Sequence, residues 1–353
     1  MKGAQAKGVQ YIYPIFGLDV RVRNKALYFP YINLPDNDWL YLMLLYWDQL
    51  SSIVPSEYIC NPEELSPHMS TLMREGLVNP VLPQEVLRDL PDFGEPFLGF
   101  IRRKIRRPQL KNVVLGQRIP IHIEKLGKVA DELVDMRLAT TAGYPWFEMD
   151  QWVANAFMSY LASLVGSLPE IASVPITNDA RCFHLLAGYQ GRAFPERMRQ
   201  RQLILGKIFP FPKADLSLNT IIKFKEKYGN ELARFRNKIE GLCIDLSNTP
   251  QRDREEQIQI KTRELKDEID IIANHMHETW HHITFLDILP VLSATGSVIA
   301  GSHGNQTLAA GTGLLSLSTA IYRYIERKQE MRFLLKEPLA YGALLNREWQ
   351  RLR

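Results

Sequence analysis

Residues 26–55 read ALYFPYINLPDNDWLYLMLLYWDQLSSIVP, and this stretch decides the fold class. Its first residues are aromatic and β-branched, which is typical of a strand that ends at the polar turn following it. Asp36 or Asn37 can cap the next segment, and Trp39–Ser52 is apolar on nearly every face, which predicts a buried helix. The run SIVP (52–55) then predicts a second short strand. A strand, a helix and a strand in this order predict a parallel pair.

The same alternation continues to about residue 208. Further strand-like runs are LVNPVL (77–82), IPIHIEKL (119–126) and SVPITND (173–179). Helices are predicted over Met69–Glu75, Lys128–Met136 and Asp150–Val165. Residues 1–208 are therefore predicted to form an α/β domain with a mainly parallel sheet.

The second half of the chain changes to helical periodicity, and FPFPKADLS (209–217) marks the predicted boundary. From Ile221 the apolar positions advance by threes and fours: 221, 224, 228, 232, 235, 239, 242 and 246. SNTPQRD (247–253) breaks this helix, and a second apolar stripe runs from Ile258 to Ile283. Residues 209–282 are therefore predicted to be an all-α antiparallel hairpin resembling a coiled coil.

Residues 283–322 form an apolar segment rich in glycine and alanine, in which Asp287 is the only formal charge. Its halves, 283–300 and 306–322, predict a second helical hairpin. Small residues allow helices to approach closely, either in a hairpin packed on the coiled coil or inside a membrane. Both alternatives stay open. Residues 323–353 are predicted to be a charged C-terminal helix and tail.

Composition places the chain among folded globular proteins, because 46% of its residues are hydrophobic and 23% are charged. The net charge of +4 is too small to indicate a nucleic-acid partner by itself. The three cysteines are far apart and form no C-x-x-C pair, so the sequence suggests neither a disulfide framework nor a cysteine zinc site. Because the N-terminus lacks an apolar signal region, we expect a cytoplasmic location, with membrane association through 283–322 as the alternative.

Several short runs resemble an uncharacterised bacterial family, a domain of unknown function. They are LYFPYI (27–32), LLYWD (44–48), IVP (53–55), FMSYLA (157–162), PITND (175–179), FKEKYGNELARFRNKIE (224–240), EPLAY (337–341) and the small-residue apolar segment. Their order and spacing cover almost the whole chain. The resemblance supports the architecture and implies no catalytic activity.

The run HMHETWHH (275–282) contains an H-E-x-x-H match, in which His277 and His281 would bind zinc and Glu278 would activate water. A third ligand is required, and Asp287 stands where the extended zinc-peptidase pattern has one. That pattern turns the chain at a glycine, whereas this sequence has Thr284 and a continuous helical pattern. Asp287 would then lie ~9 Å beyond His281 along the helix, too far to share a metal. We therefore expect no cofactor and exposed histidines on the helix flank, with a zinc hydrolase as the alternative.

The run FIRRKIRRPQLK (100–111) contains a basic cluster that can neutralise phosphates or anionic lipid headgroups. The plain alternative is a solvated helix face paired with acidic neighbours. Its members are Arg102, Arg103, Lys104, Arg106, Arg107 and Lys111.

Because the sequence contains no convincing catalytic motif, it favours a non-enzymatic intracellular interaction or effector protein. Its α/β domain would sense or bind a ligand, and the helices of 221–283 would associate with a protein partner or a second copy. A membrane partner through 283–322 and nucleic acid through the basic cluster are further alternatives. Asp179 stands at a predicted strand end, where it serves either a functional site or a helix cap.

Overall fold

The structure is a computed structural model. It describes residues 24–88, 90–105, 117–182, 185–186, 193–209, 218–301 and 326–351. Within these ranges, the description leaves out the side chains of residues 105, 193, 280–301 and 349–351. The chain divides into two compact units, Met1–Arg199 and Gln200–Arg353. The boundary predicted near 209–217 falls mostly on undescribed residues and stays a prediction.

The first unit contains a four-stranded parallel sheet in the order β3-β2-β1-β7. Its strands are β1 (Lys25–Tyr28), β2 (Gln49–Ile53), β3 (Val78–Val81) and β7 (Ser173–Ile176). The chain moves outward from β1 to β3 and then adds β7 on the other side of β1, so its connections diverge between β1 and β7. In α/β sheets a crevice opens at this point, outside the carboxyl ends of the strands. Because all three pairings are parallel, the predicted α/β architecture with a parallel sheet is confirmed.

The helices up to residue 208 follow the predicted alternation. They are α1 (Asp38–Tyr46), α2 (Ser56–Cys60), α3 (Pro67–Arg74), α4 (Pro83–Leu87), α5 (Glu95–Ile105), α6 (Ile123–Leu126), α7 (Val129–Asp135), α8 (Gln151–Ser167) and α9 (Ala193–Ile208). Gly76, which has φ of +70°, follows α3 as the sequence predicts.

The helix predicted over Trp39–Ser52 is too long. In the structure α1 ends at Tyr46, and the strand β2 already begins at Gln49. The cause is that β2 lies between β1 and β3, where its residues are buried on both faces. Three of its five residues, Gln49, Ser51 and Ser52, are polar, so β2 has neither an apolar run nor a strict alternation. Periodicity alone therefore does not separate it from the end of the helix.

A second sheet, which the sequence did not predict, is antiparallel and has the order β4-β6-β5. Its strands are β4 (Arg118–His122), β5 (Ala139–Thr141) and β6 (Trp146–Asp150). Helix α8 packs against both sheets of this unit. It approaches β7 closely at Gly166, where an added Cβ would lie 2.6 Å from the carbonyl oxygen of Ser173.

The described part of the second unit is helical, as predicted. Besides the end of α9 and a helical stretch over 326–334, it contains α10 (Leu218–Lys227), α11 (Gly229–Asn248), α12 (Gln251–Gly301) and α13 (Ala340–Arg351). The predicted stripes lie largely in the core, with buried residues that include Leu232, Phe235, Ile239, Leu246, Ile258, Leu265, Ile269 and Met276. The coiled-coil geometry itself stays a prediction.

Helix α12 runs without interruption to Gly301 and therefore contains the first half of the predicted apolar hairpin, 283–300. The second half, 306–322, lies outside the described residues. Among the described helices, none combines the length and the apolar character that a membrane crossing requires.

Candidate functional site

The first unit contains a partly open cavity of about 440 Å³ between the end of β1 and the antiparallel sheet. One wall is Pro30–Asn33, which directly follows β1, and the opposite wall is Ile119–His122 of β4. Helix α8 contributes Ala154, Asn155 and Met158. The cavity therefore lies at the carboxyl end of the parallel sheet, where α/β proteins commonly bind ligands. Its volume is within the range of small-molecule sites.

Lys125 lines this cavity although it is almost completely buried, with 3% of its surface exposed. It belongs to α6, the short helix that directly follows β4. Burial lowers the pKa of its amine to about 7, because the charged form loses its hydration. Among the described residues, no group forms a hydrogen bond or an ion pair with the amine. A buried ammonium without a counter-charge is costly, and such groups concentrate at functional sites.

His122 lies beside Lys125 at the end of β4 and is also buried. Its Nδ1 accepts a hydrogen bond from the Glu124 amide (3.2 Å), and its Nε2 lies 3.1 Å from Oε1 of Glu57. Burial lowers the pKa of His122, although the carboxylates of Glu57 and Glu124 oppose that shift. The amide and the hydroxyl of Ser56 donate to the Glu124 carboxylate. These contacts hold the β4–α6 corner against the start of α2.

Asn155 supplies a second buried polar group on the cavity wall, with 3% of its surface exposed. Within the described chain its side-chain amide forms no hydrogen bond. Much of the remaining lining is apolar or aromatic and includes Ile121, Met158 and Trp146. The lining also contains the His122 imidazole and the exposed carboxylate of Glu64. The cavity thus combines buried polar side chains and one exposed carboxylate with walls that accept an apolar body.

A polar cluster at the ends of β1 and β7 supports the β1 wall. The Tyr31 hydroxyl donates to Oδ2 of Asp179 (3.4 Å), and Nη2 of Arg181 donates to the same oxygen (2.6 Å). Tyr28 donates to Oδ1 of Asn178 (3.2 Å) across the same crevice. Hydrogen bonds from Arg181 hold the pKa of the Asp179 carboxyl below its usual range. Asp179 also accepts the Arg181 backbone amide (2.9 Å), as a residue that caps a helical turn does.

The H-E-x-x-H match lies on α12, which belongs to the second unit. The side chains of His277 and Glu278 are exposed, and that of His281 lies outside the description. Among the described residues, no group of three or more His, Cys, Asp or Glu side chains is placed to hold a metal ion. The zinc hydrolase therefore stays an untested alternative.

We expect protein purified without a histidine tag to contain far less than one zinc per chain. The physical reason is that His277 and Glu278 face solvent on a continuous helix, and the described residues place no third ligand beside them. Elemental analysis measures the content directly. One zinc per chain that disappears in His277→Ala, with His275→Ala as the matched control, would establish the metal site instead.

The basic cluster begins at the end of α5, where Arg102 already has acidic neighbours. Its Nη2 lies 2.8 Å from Oε2 of Glu132, and its Nη1 lies 3.8 Å from Oε2 of Glu95. Both pairs are substantially exposed, so they contribute little to stability. Arg103 and Lys104 also lie on α5, while Arg106, Arg107 and Lys111 lie outside the described residues. Nucleic-acid binding through this cluster stays a prediction.

The fold and the cavity define the class of protein: it is an α/β protein with a helical second unit and a ligand-sized cavity in its first unit. Residues 103–341 match a family described as a family of unknown function, DUF6236. The chain belongs to this family, which confirms the predicted membership of an uncharacterised domain family. No curated protein and no solved structure matches the chain. His122, Lys125, Trp146 and Asn155 fall inside the matched range, so most of the cavity belongs to the family domain.

Proposed function

We propose that this protein is a non-enzymatic binding protein whose α/β unit holds a small organic anion in the cavity beside Lys125. The observation that carries the proposal is a buried lysine that lines a ligand-sized cavity and whose amine has no counter-charge among the described residues. The ligand supplies that counter-charge as a carboxylate or a phosphate. Its apolar body rests against Trp146, Ile121 and Met158.

Electrostatics support an anion over a neutral ligand. Removing the Lys125 charge from water is unfavourable in the empty cavity, and an anion at hydrogen-bond distance returns part of that lost energy. Asn155 adds an amide donor that suits a carboxylate or phosphate oxygen. Burial is the only cause of the lowered pKa of Lys125, and neither the Glu57 nor the Glu124 carboxylate offsets it.

The helical unit provides the association part of the proposal. Helices α11 and α12 would form the antiparallel, coiled-coil-like hairpin, and this hairpin would bind a protein partner or a second copy. Ile260 and Ile271 favour this role, because both are exposed on α12. They are eleven residues apart, which is close to three helical turns and puts them on one face. The membrane alternative rests on residues 283–322, much of which the structure does not describe.

The binding proposal is tested by calorimetric titration of the full chain at pH 6.5 with three matched probes. Phenyllactate carries a carboxylate, phenyl phosphate carries a phosphate, and benzyl alcohol carries neither charge. We expect at least one of the two anions to bind and the alcohol to bind far more weakly. In Lys125→Met the anion affinity should fall about tenfold to a hundredfold, which is the contribution of a hydrogen bond to a charged group.

Lys128→Met is the matched control, because Lys128 is exposed three residues further along the chain. It should bind the anions like the wild type. Absence of binding by both anions would overturn the proposal, and so would an affinity that Lys125→Met leaves unchanged. The anion that binds better decides between a carboxylate and a phosphate ligand.

A further inference from the structure

The surroundings of the Lys125 amine differ from those of a buried cation that serves only the fold. A buried cation that serves the fold normally has a carboxylate beside it, as Arg201 has Glu240, with Nη2 2.7 Å from Oε2. Lys125 has no such partner among the described residues, and it faces a cavity. Lys125 therefore lies within reach of a molecule bound in the cavity, while 3% of its surface is exposed.

We infer that Lys125 captures an oxo acid by forming a reversible imine with the carbonyl carbon of the ligand. This inference rests on the proposed function, since it specifies the anion that the same cavity would bind. Lys125 supplies the nucleophile, and Asn155 supplies an amide donor for the carboxylate. Two buried polar groups without partners in the described chain thus match the two functional groups of one ligand.

The bond-forming step needs no oxidant, reductant or second substrate. The lone pair of the amine nitrogen forms a bond to the carbonyl carbon, while the π electrons of the carbonyl move onto its oxygen. Both hydrogens of the neutral amine then leave with that oxygen as one molecule of water. A carbon–nitrogen double bond replaces the carbonyl, and hydrolysis releases the ligand unchanged.

Burial also gives Lys125 the protonation state that this step requires. Because its pKa is lowered to about 7, roughly half of the amine is neutral and nucleophilic at pH 7. An exposed lysine with an ordinary pKa is neutral in on the order of one molecule in a thousand at the same pH. Desolvation of a lysine in an apolar pocket is a recognised way of activating it towards carbonyl compounds. Lys125 should therefore react faster than the exposed lysines of the chain.

The test uses the full chain, phenylpyruvate and sodium borohydride, which reduces an imine to a stable secondary amine. Phenyllactate is the matched probe, because it keeps the ring and the carboxylate and replaces the oxo group by a hydroxyl. We expect one reduced adduct per chain at pH 7 with phenylpyruvate and none with phenyllactate. Peptide mapping by mass spectrometry should find at least about tenfold more adduct at Lys125 than at exposed lysines such as Lys128.

Site mapping on the wild type makes the test independent of whether a Lys125 variant folds. An adduct spread over the exposed lysines would overturn the inference. If phenylpyruvate and phenyllactate both bind and no adduct forms at Lys125, imine formation is wrong while anion binding stands. If neither compound binds, the proposed function fails together with imine formation. The failure of the inference and the failure of the proposed function are therefore distinguishable.

Discussion

Replacing Lys125 with methionine should raise the free energy of unfolding by several kcal/mol at pH 6, and the gain should shrink as the pH rises. Burial lowers the pKa of this amine in the folded protein to about 7, from its usual value of 10.5. Between these values the unfolded chain binds more protons, so wild-type stability rises with pH through this window. Methionine has a similar shape and no charge. At about 1.36 kcal/mol per pKa unit, the gain below pH 7 reaches about 5 kcal/mol at most.

The measurement is urea unfolding of both proteins at several pH values between 6 and 10.5, followed by circular dichroism. All other titratable groups are common to the two proteins, and the Lys125 charge lowers the pKa of His122. The difference between the two curves therefore reports Lys125 together with its effect on His122. That difference should fall by about 1.4 kcal/mol per pH unit above pH 7. The exposed Lys128→Met should show no such slope. A difference that stays constant with pH, or a variant that is less stable than wild type at pH 6, would contradict burial of an unpaired charge.

A stabilising substitution that weakens binding is the expected behaviour of a functional site. Residues retained at a cost to stability serve ligands, and removing them commonly increases stability while activity is lost. Lys125→Met should do both. If the variant is more stable at pH 6 and still binds the anionic probes, the unpaired lysine would need another explanation.

The parallel sheet was predictable because its signals are local. Each strand of that sheet is a short apolar or β-branched run next to a turn, and helices separate the strands along the chain. The same locality explains the error at Trp39–Ser52, where only the neighbouring strands reveal that Gln49–Ile53 is a strand. The antiparallel sheet was missed because β5 has three residues and β6 begins directly after a turn. The three residues of β5 are too few to show a pattern.

The cavity was not predictable, because it is formed by segments far apart in the sequence. Asp179 was placed at a strand end, and it does lie beside the crevice, where it supports the wall through Tyr31. A usable signal for Lys125 did exist in IPIHIEKL (119–126). There Ile119, Ile121 and Ile123 alternate and Lys125 occupies the next position, so a charge stands where an apolar residue was due. Only the structure shows that this lysine is buried.

The second large effect is expected in the helical unit, where Glu240→Ala should lower the free energy of unfolding by about 3–5 kcal/mol. Arg201 and Glu240 are both nearly buried, with side-chain exposures of 4% and 8%. Nε and Nη2 of Arg201 meet the two carboxylate oxygens at 2.5 and 2.7 Å. Removing the carboxylate leaves a buried guanidinium without its principal counter-charge, which costs far more than the pair contributes.

Two further variants separate this mechanism from loss of packing. The double variant Arg201→Met/Glu240→Leu removes both charges and keeps most of the volume, so its stability should return close to that of wild type. Glu330→Ala removes the partner of Arg327 from an exposed pair, 2.7 Å between Nη1 and Oε2, and should change stability by less than about 1 kcal/mol. Urea unfolding at pH 7 measures all three.

The double variant decides what the pair does. If it is as unstable as Glu240→Ala, the hydrogen bonds of the pair stabilise the helical unit directly. If the stability of the double variant recovers, the pair contributes little net energy to folding. Its role is then to fix how α9 packs against α11, because a displaced arrangement would leave both charges buried and unpaired. Recovery is what we expect. Lys125 shows the opposite situation: there the single buried charge has no internal partner among the described residues, which is why its removal should stabilise the fold rather than weaken it.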